Sequence, residues 1–299
     1  MNIKKTLAQW FRCGLTLISP RLNTEVIYRI KFNKKLDLKH PVTLNEKILW
    51  LKFNTYWENS LIKQCADKLR VREYIIKKGF SDLLVRMIGA YDNVNYIDWD
   101  SLPSSFALKL NVGCGSNIIV NDKSKLDIEA TKNTLEKWLK PNLWYLGYSE
   151  MQYKGVKPYI IIEEYLGAED GELPEDYKFY CMNGICRTIM VCKDRVIGKK
   201  ARYFFMSRDW ELYPYTIEAI ESPNESIPKP RCLEKAIEYA ERLSKGFPFV
   251  RVDLYIIGDK IYFGELTFTP AAGMDTDLKV IPPNSDKNVD AIFGEWLNV

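Results

Sequence analysis

The chain has 299 residues, 46% hydrophobic and 27% charged, which is ordinary globular chemistry for one large domain or a few packed lobes. With 43 basic and 39 acidic side chains its net charge is +4, too balanced to indicate a nucleic-acid partner. His40 is the only histidine, and the 7 cysteines contain no Cys-x-x-Cys pair, so a histidine-based triad, a histidine-rich metal centre and a structural zinc site lack their material.

The route to catalysis left open by this composition is positioning and electrostatics, with carboxylate-held metal and basic side chains. Cysteines so scattered read as free thiols of a reducing, cytoplasmic compartment. The first segment, MNIKKTLAQWFRCGLTLISP, is amphipathic and mildly basic. Gly14 and Thr16 interrupt its apolar stretch, which is too short to span a bilayer. It reads as a packed helix, with peripheral contact at the inner face of a membrane as the alternative. No later segment reaches the roughly 18 apolar residues of a membrane span.

In PVTLNEKILWLKF, Thr43 and Glu46 form a capping box opening a helix whose inner face is Leu44, Ile48, Leu51 and Trp50. A second helix is expected over LIKQCADKLRVREYIIKKG, ending at Gly79. A short strand follows in LLVRMIGAYD.

After Pro103 the texture changes. SFALKLNV and NIIVND read as strands, TKNTLEKWLKPN as a helix stopped by Pro141, and PYIIIEEYLG as a buried strand. DYKFYCMNGICRTIMVC is a hairpin around Asn183-Gly184, with Cys181 and Cys186 able to face each other across it. RCLEKAIEYAERLSKG is a helix buried through Leu233, Ala236, Ile237, Ala240 and Leu243. FPFVRVDLYIIGDKIYFGELTF is a final hairpin. Trp50, Trp57, Trp138 and Trp144 read as core aromatics rather than sugar platforms. The class is α+β, with antiparallel or mixed sheets.

That last hairpin carries charge inside apolar strands: Arg251, Asp253 and Glu265. Buried charge is costly unless paired or bound to a cation. With Gly258, Asp259 and Lys260 as a three-residue loop, Ile257 faces Ile261, Tyr255 faces Phe263, Asp253 faces Glu265 and Arg251 faces Thr267. The polar residues then share one face. Two facing carboxylates about 5 Å apart at Cβ repel. A divalent cation with oxygen ligands, such as Mg²⁺, resolves the conflict. The alternative is a buried ion triad bridged by Arg251. A two-residue turn would break this pairing.

The stretch FALKLNVGCGSNIIVNDK, residues 106–123, holds Lys109 and a glycine loop. A Walker loop and a dinucleotide fingerprint both open a helix, whereas this loop runs into the strand NIIV. It is therefore a hairpin tip. It is either a plain turn or a tip whose amides cradle phosphate, with Gly113 and Gly115 allowing close approach.

Taken in order, TLNEKILWLK, DKLRVREYI, FALKLNVGCGSNIIV, DYKFYCMNG and FPFVRVDLYIIGDKIYFGELTFTPAAG resemble the ATP-grasp superfamily. More closely, the chain resembles the TupA-like ATP-grasp family of bacterial polysaccharide biosynthesis, over roughly residues 40 to 299. The resemblance implies two α+β lobes closing on ATP after a helical N-terminal region. Residues 1–60 would be that region, 61–105 the first part of the first lobe, 106–167 the glycine-hairpin lobe and 168–299 the catalytic lobe.

It also implies ATP and Mg²⁺ as cofactors. Lys68 and Lys109 would reach the nucleotide, and Gly113, Gly115, Ser116 and Asn117 would fold over its β- and γ-phosphates. Glu163, Glu164, Tyr165 and Leu166 would form the hinge whose backbone reads adenine, with Glu172 on the ribose. Lys178 would face the phosphates, and Arg251 would hold the transferred phosphoryl group. Asp253, Glu265 and Thr267 would hold Mg²⁺. Thr267 stands where the superfamily usually has asparagine, and Cys114 where a small polar residue is expected.

The implied activity is an ADP-forming carboxylate–amine ligase working through an acyl phosphate. It would join an amino acid to a surface polysaccharide or its sugar precursor. Other readings are a kinase with a hydroxyl acceptor, and a capsule or O-antigen glycosyltransferase, for which Asp275-Thr276-Asp277 supplies the letters of an Asp-x-Asp motif. A binding module without chemistry is a further reading, against which the intact Arg251, Asp253 and Glu265 set counts.

Overall fold

A computed structural model describes residues 3–140, 144–167, 173–195 and 201–299. Pro141 and Glu172 lie outside the described residues. The chain opens with α1 (Ile3–Ile18) and α2 (Pro20–Phe32). Ser19 between them caps α2 by accepting from the Leu22 amide, and Pro20 takes the first helical position. Then α3 (Leu44–Leu51) starts on the expected capping box, with both reciprocal hydrogen bonds formed between Thr43 and Glu46. Leu44, Ile48 and Leu51 are buried, and Trp50 is half-buried against the same core. A π-helical turn, Lys52–Tyr56, follows directly.

The single helix expected over 61–79 is two helices, α4 (Ser60–Ala66) and α5 (Val71–Lys77). Asp67 makes the break, because its side chain accepts from the Leu69 and Arg70 amides at 2.8 and 3.3 Å. This local turn competes with the helical ladder. It lifts Lys68 out of any helix, and the Lys68 amide bonds the Asn111 carbonyl at 2.8 Å.

Two antiparallel sheets follow. The first has the order β1–β4–β2–β3, from β1 (Met87–Tyr91), β2 (Phe106–Leu110), β3 (Asn117–Val120) and β4 (Ile160–Glu164). Between β3 and β4, α6 (Ile128–Leu139) buries Leu135 in the core beneath this sheet.

The second sheet has six strands in the order β10–β9–β5–β6–β7–β8. These are β5 (Asp176–Met182), β6 (Ile185–Lys193), β7 (Arg202–Met206), β8 (Leu212–Tyr213), β9 (Phe249–Ile257) and β10 (Lys260–Thr267). β7 and β8 extend the sheet beyond the strands read from the sequence. Among the helices that follow β8, α7 (Ile217–Glu221) packs on β7, and α8 (Leu233–Ser244) packs on β9, β5 and β6. All five anticipated positions of α8, Leu233, Ala236, Ile237, Ala240 and Leu243, are buried. Lastly α9 (Val289–Trp296) packs on α3 within the same core.

The β5–β6 hairpin turns on Asn183 (φ 51°) and Gly184 (φ 80°), both left-handed as a two-residue hairpin turn requires. Cys181 and Cys186 pair in register and are buried free thiols.

The β9–β10 hairpin corrects the sequence expectation in an instructive way. Its turn has two residues, Gly258 and Asp259, so Ile257 pairs with Lys260 and Tyr255 with Tyr262. That offset alone would have separated Asp253 from Glu265. A bulge at Gly264 restores the pairing, and beyond it Asp253 faces Glu265 and Arg251 faces Thr267. A Cβ at residue 264 would lie 2.9 Å from the Asp253 carbonyl oxygen, so the close approach requires glycine.

Candidate active site

The two sheets face each other across a cleft of about 170 Å³. One wall comes from the four-stranded sheet: Lys109 on β2, Asn117 on β3, and Ile161 and Glu163 on β4. The other comes from the six-stranded sheet: Asp176 and Lys178 on β5, Asp253 and Tyr255 on β9, and Phe263 to Glu265 on β10. Lys68 enters from the α4–α5 break and Arg72 from the first turn of α5. The β2–β3 loop, with Gly113, Cys114, Gly115 and Ser116, closes over the top.

The base of that loop is fixed. Asn111 is fully buried and bonds both the Lys157 carbonyl and the Tyr159 amide, at 3.1 and 2.8 Å. The tip is left-handed at Gly113 (φ 75°) and Gly115 (φ 76°), where side chains are disfavoured. Cys114 is an exposed free thiol between them. Lys68 Nζ reaches up to the Gly113 carbonyl.

Alternation along β4 decides the roles of its two glutamates. Glu163 points into the cleft, accepting from Lys109 Nζ at 2.7 Å and from Arg72 at 3.2 Å. Glu164, the next residue, is exposed, and with Tyr165 and Leu166 it borders a small crevice that continues the cleft past Lys109 and Asn117. Glu163 and Glu164 are strand residues, with Glu163 paired to Ala107 and Glu164 to Phe106, and the segment leaving the sheet begins at Tyr165. Burial works against the charge of Lys109, but Glu163, joined by Tyr255 and Glu265, holds the ammonium above the ordinary lysine value.

Opposite lies a compact charge network. Arg251 grips Asp253 with two bonds of 2.7 Å, through Nε and one terminal nitrogen. Lys178 Nζ donates to both Asp253 and Asp176 at 2.6 Å. Thr267 donates to Glu265 at 3.0 Å and accepts from Arg251 at 3.2 Å. Burial raises the Asp253 carboxyl above its ordinary value, against the pull of Arg251 and Lys178. Burial also opposes ionisation of Glu265, yet Lys68, Arg251 and Lys178 together lower it to about 2, so it is a carboxylate at any physiological pH. Arg251 thus bridges Asp253 and Glu265, at 2.7 and 3.5 Å, which is the ion triad weighed in the sequence against a bound cation.

Arg72 and Asp176 were not singled out from the sequence. Asp176 was findable, since it stands two residues before Lys178 and so shares its strand face. One Asp176 oxygen bonds Lys178, while the other is buried without a hydrogen-bond partner. A bare buried carboxylate oxygen is costly and suits a wall that receives a cation. Among the described residues, no cluster of three or more His, Cys, Asp and Glu side chains could hold a metal by itself. Mg²⁺ does not need one: it binds through one or two carboxylates, water and substrate phosphate. The oxygen donors Asp253, Glu265 and Thr267 fit an ion arriving with a phosphorylated ligand.

Beyond Lys178 and Arg251 opens a larger cavity of about 920 Å³, lined by Tyr180, Tyr203, Phe205 and Asp275 among others. Its lip includes Ala271 (φ 47°), which with the next residue, Ala272 (φ 61°), is left-handed, a strained conformation for residues with a Cβ. Buried Asn45 clamps the segment, exchanging bonds with the Asp275 amide and carbonyl at 2.8 and 3.0 Å. Asp275 of the Asp-x-Asp letters spends one oxygen on the Asp277 amide, closing a turn.

Comparison with known proteins follows from this geometry. A family model described as TupA-like ATP-grasp matches residues 46–298. No curated protein matches the chain in sequence. Among solved structures, the D-alanine–D-alanine ligase of Bacillus anthracis complexed with ATP is similar at 14% identity and TM-score 0.41, covering 69% of this chain and 55% of its own. That from Helicobacter pylori gives 13%, 0.43, 85% and 69% in the same order. The ADP complex of N5-carboxyaminoimidazole ribonucleotide synthetase gives 12%, 0.45, 75% and 50%. The chain thus spans little more than half the length of the first of these.

Proposed function

The chain belongs to the TupA-like ATP-grasp family, and from that premise we propose that it is an ADP-forming carboxylate–amine ligase. Its substrates, on this reading, are an amino acid and a surface polysaccharide or its sugar precursor. The observation that carries the proposal is the convergence of Lys68, Lys109 and Lys178 with Asp253 and Glu265 in one cleft beneath a glycine loop. Those lysines come from three separate stretches of chain, and triphosphate is the ligand that suits three cations beside a carboxylate pair.

In the proposed complex, Lys109 and Lys68 hold the nucleotide phosphates, and the amides of the 113–116 loop cover them. Glu164, Tyr165 and Leu166 border the adenine end. Asp253, Glu265 and Thr267 would hold Mg²⁺, which would supply charge neutralisation to the phosphates. Arg251 and Lys178 stand at the passage between the cleft and the larger cavity, and both line the latter. A carboxylate entering from that cavity meets the γ-phosphate there. The terminal phosphoryl group moves to the carboxylate, giving an acyl phosphate and ADP. An amine then displaces phosphate and forms the amide. Arg251 stabilises the charge on the carbonyl oxygen as the amine adds. The larger cavity has room for a substrate of several rings, and its aromatic walls suit the apolar faces of sugars.

The test is product analysis. Protein, ATP, Mg²⁺ and panels of amino acids with amino- or carboxyl-bearing sugars should release ADP and inorganic phosphate together. ADP release without inorganic phosphate, with phosphate retained on the product, would show a kinase instead. Failure of both ATP binding and turnover across the panel would remove the proposal.

A further inference from the structure

Five large apolar residues of α1 lie on its outer face. Leu7, Trp10, Phe11, Leu17 and Ile18 recur at helical spacing and form one stripe. They are 64, 72, 62, 74 and 78% exposed. The packed face is held by polar contacts. Thr16 is 2% exposed and donates to the Leu146 carbonyl at 2.6 Å. Asn23 of α2 donates to the Thr16 and Ser149 hydroxyl oxygens at 2.8 and 3.0 Å. The Arg12 guanidinium lies over the Tyr148 ring.

This arrangement inverts an ordinary surface helix, which turns its apolar stripe inward. Buried polar contacts fix the rotation of α1, so the stripe is held outward. An exposed apolar surface of this kind marks a contact site.

Charge selects the occupant. Residues 1–24 contain Lys4, Lys5, Arg12 and Arg21 and no acidic residue. The first carboxylate, Glu25, is paired with Arg21 at 3.0 Å. A second copy of the chain would set this positive segment against itself. An anionic lipid surface supplies apolar depth and countercharge together. We propose that α1 docks the protein on anionic membranes, lying in the interface with Leu7, Trp10, Phe11, Leu17 and Ile18 inserted. It lies on the bilayer rather than across it, since no helix among the described residues is long and apolar enough to cross one.

The proposal does not depend on the ligase reading, and its test uses no turnover. The full chain is sedimented with vesicles of phosphatidylcholine alone and of phosphatidylcholine mixed with phosphatidylglycerol. Binding should occur to the anionic vesicles and fall as salt rises. Leu17→Glu and Trp10→Glu should each weaken it by about tenfold or more, the effect of withdrawing one large apolar side chain and adding a repelled charge. Both positions are exposed, so the melting temperature should hold and certify the fold. Lys4→Glu with Lys5→Glu should weaken binding to anionic vesicles without touching the stripe. Equal binding by wild type and Leu17→Glu would overturn the proposal. So would absence of vesicle binding, or a wild-type dimer that Leu17→Glu dissociates, which would assign the stripe to a second copy.

Discussion

Lys68 Nζ donates to the Gly113 carbonyl at 2.5 Å and lies 3.6 Å from a Glu265 carboxylate oxygen. One ammonium thus links the glycine loop to the carboxylate hairpin. Lys68→Met removes that link and one phosphate-facing charge. Nucleotide affinity by calorimetry should fall roughly 10- to 100-fold, the range of a charged hydrogen bond worth about 1.5–3 kcal/mol. Unchanged affinity would place the nucleotide elsewhere.

Asp253 and Glu265 should separate by their second effects. Both Asp253→Asn and Glu265→Gln should abolish Mg²⁺-dependent turnover. Asp253 also holds Arg251 and Lys178 in a buried network. Its substitution should therefore cost about 3–5 kcal/mol of stability, as for one partner of a buried pair. Glu265 is 32% exposed at its side chain, so Glu265→Gln should melt closer to wild type. Denaturant titration of the two variants checks the contrast.

Gly264→Ala places a methyl group against the Asp253 carbonyl. The bulge should shift and carry Glu265 off its partner. Loss of about 1–3 kcal/mol in stability is expected, the scale of overpacking, together with loss of metal-dependent turnover. The conservative size of the change makes intact activity a clear contradiction.

Cys114 is exposed at the tip of the covering loop. Alkylation by iodoacetamide should therefore inhibit the enzyme, and ATP with Mg²⁺ should protect it. Cys114→Ser should stay active and become insensitive. Mass spectrometry of the modified peptide identifies the site.

Lys52 supplies the pH dependence. Its ammonium is buried and donates to the Tyr148 carbonyl at 2.6 Å. Burial, opposed by Glu150, lowers it to about 8. Between about pH 8 and 10.5 the unfolded chain holds this proton more tightly than the folded one, so Lys52 makes stability rise with pH there. Below about pH 8 both states are protonated and the penalty is constant. Relative to Lys52→Met, wild-type stability should increase by something on the order of 3 kcal/mol across that window. Paired unfolding curves at the two ends would show it, and a flat difference would refute it.

The elements legible in the sequence were those with local chemistry: the Thr43–Glu46 capping box, the Asn183-Gly184 turn and the apolar spacing of α8. The charges of the last hairpin were legible as an anomaly, since Arg251, Asp253 and Glu265 interrupt apolar strands. Features set by tertiary contact were not. The break at Asp67 reads as continuing helix in the letters; its side-chain turn interrupts it and is seated through the Lys68 amide on the Asn111 carbonyl. Glu163 and Glu164 are identical letters, and only the orientation of β4 separates them. A two-residue turn followed by a bulge gives the same Asp253–Glu265 pairing as the three-residue loop expected, so the right partners followed from the wrong count.

The counterions of Asp253 and Glu265 belong to the chain itself. Loading the site in the proposed reaction is then a metathesis between two salts. Asp253 and Glu265 would hold the magnesium, and the lysines they release would hold the triphosphate. Most of the dehydration of these charged side chains accompanies folding, before any ligand arrives. Either component alone would leave half the exchange without a partner, so nucleotide and metal should enter as one species.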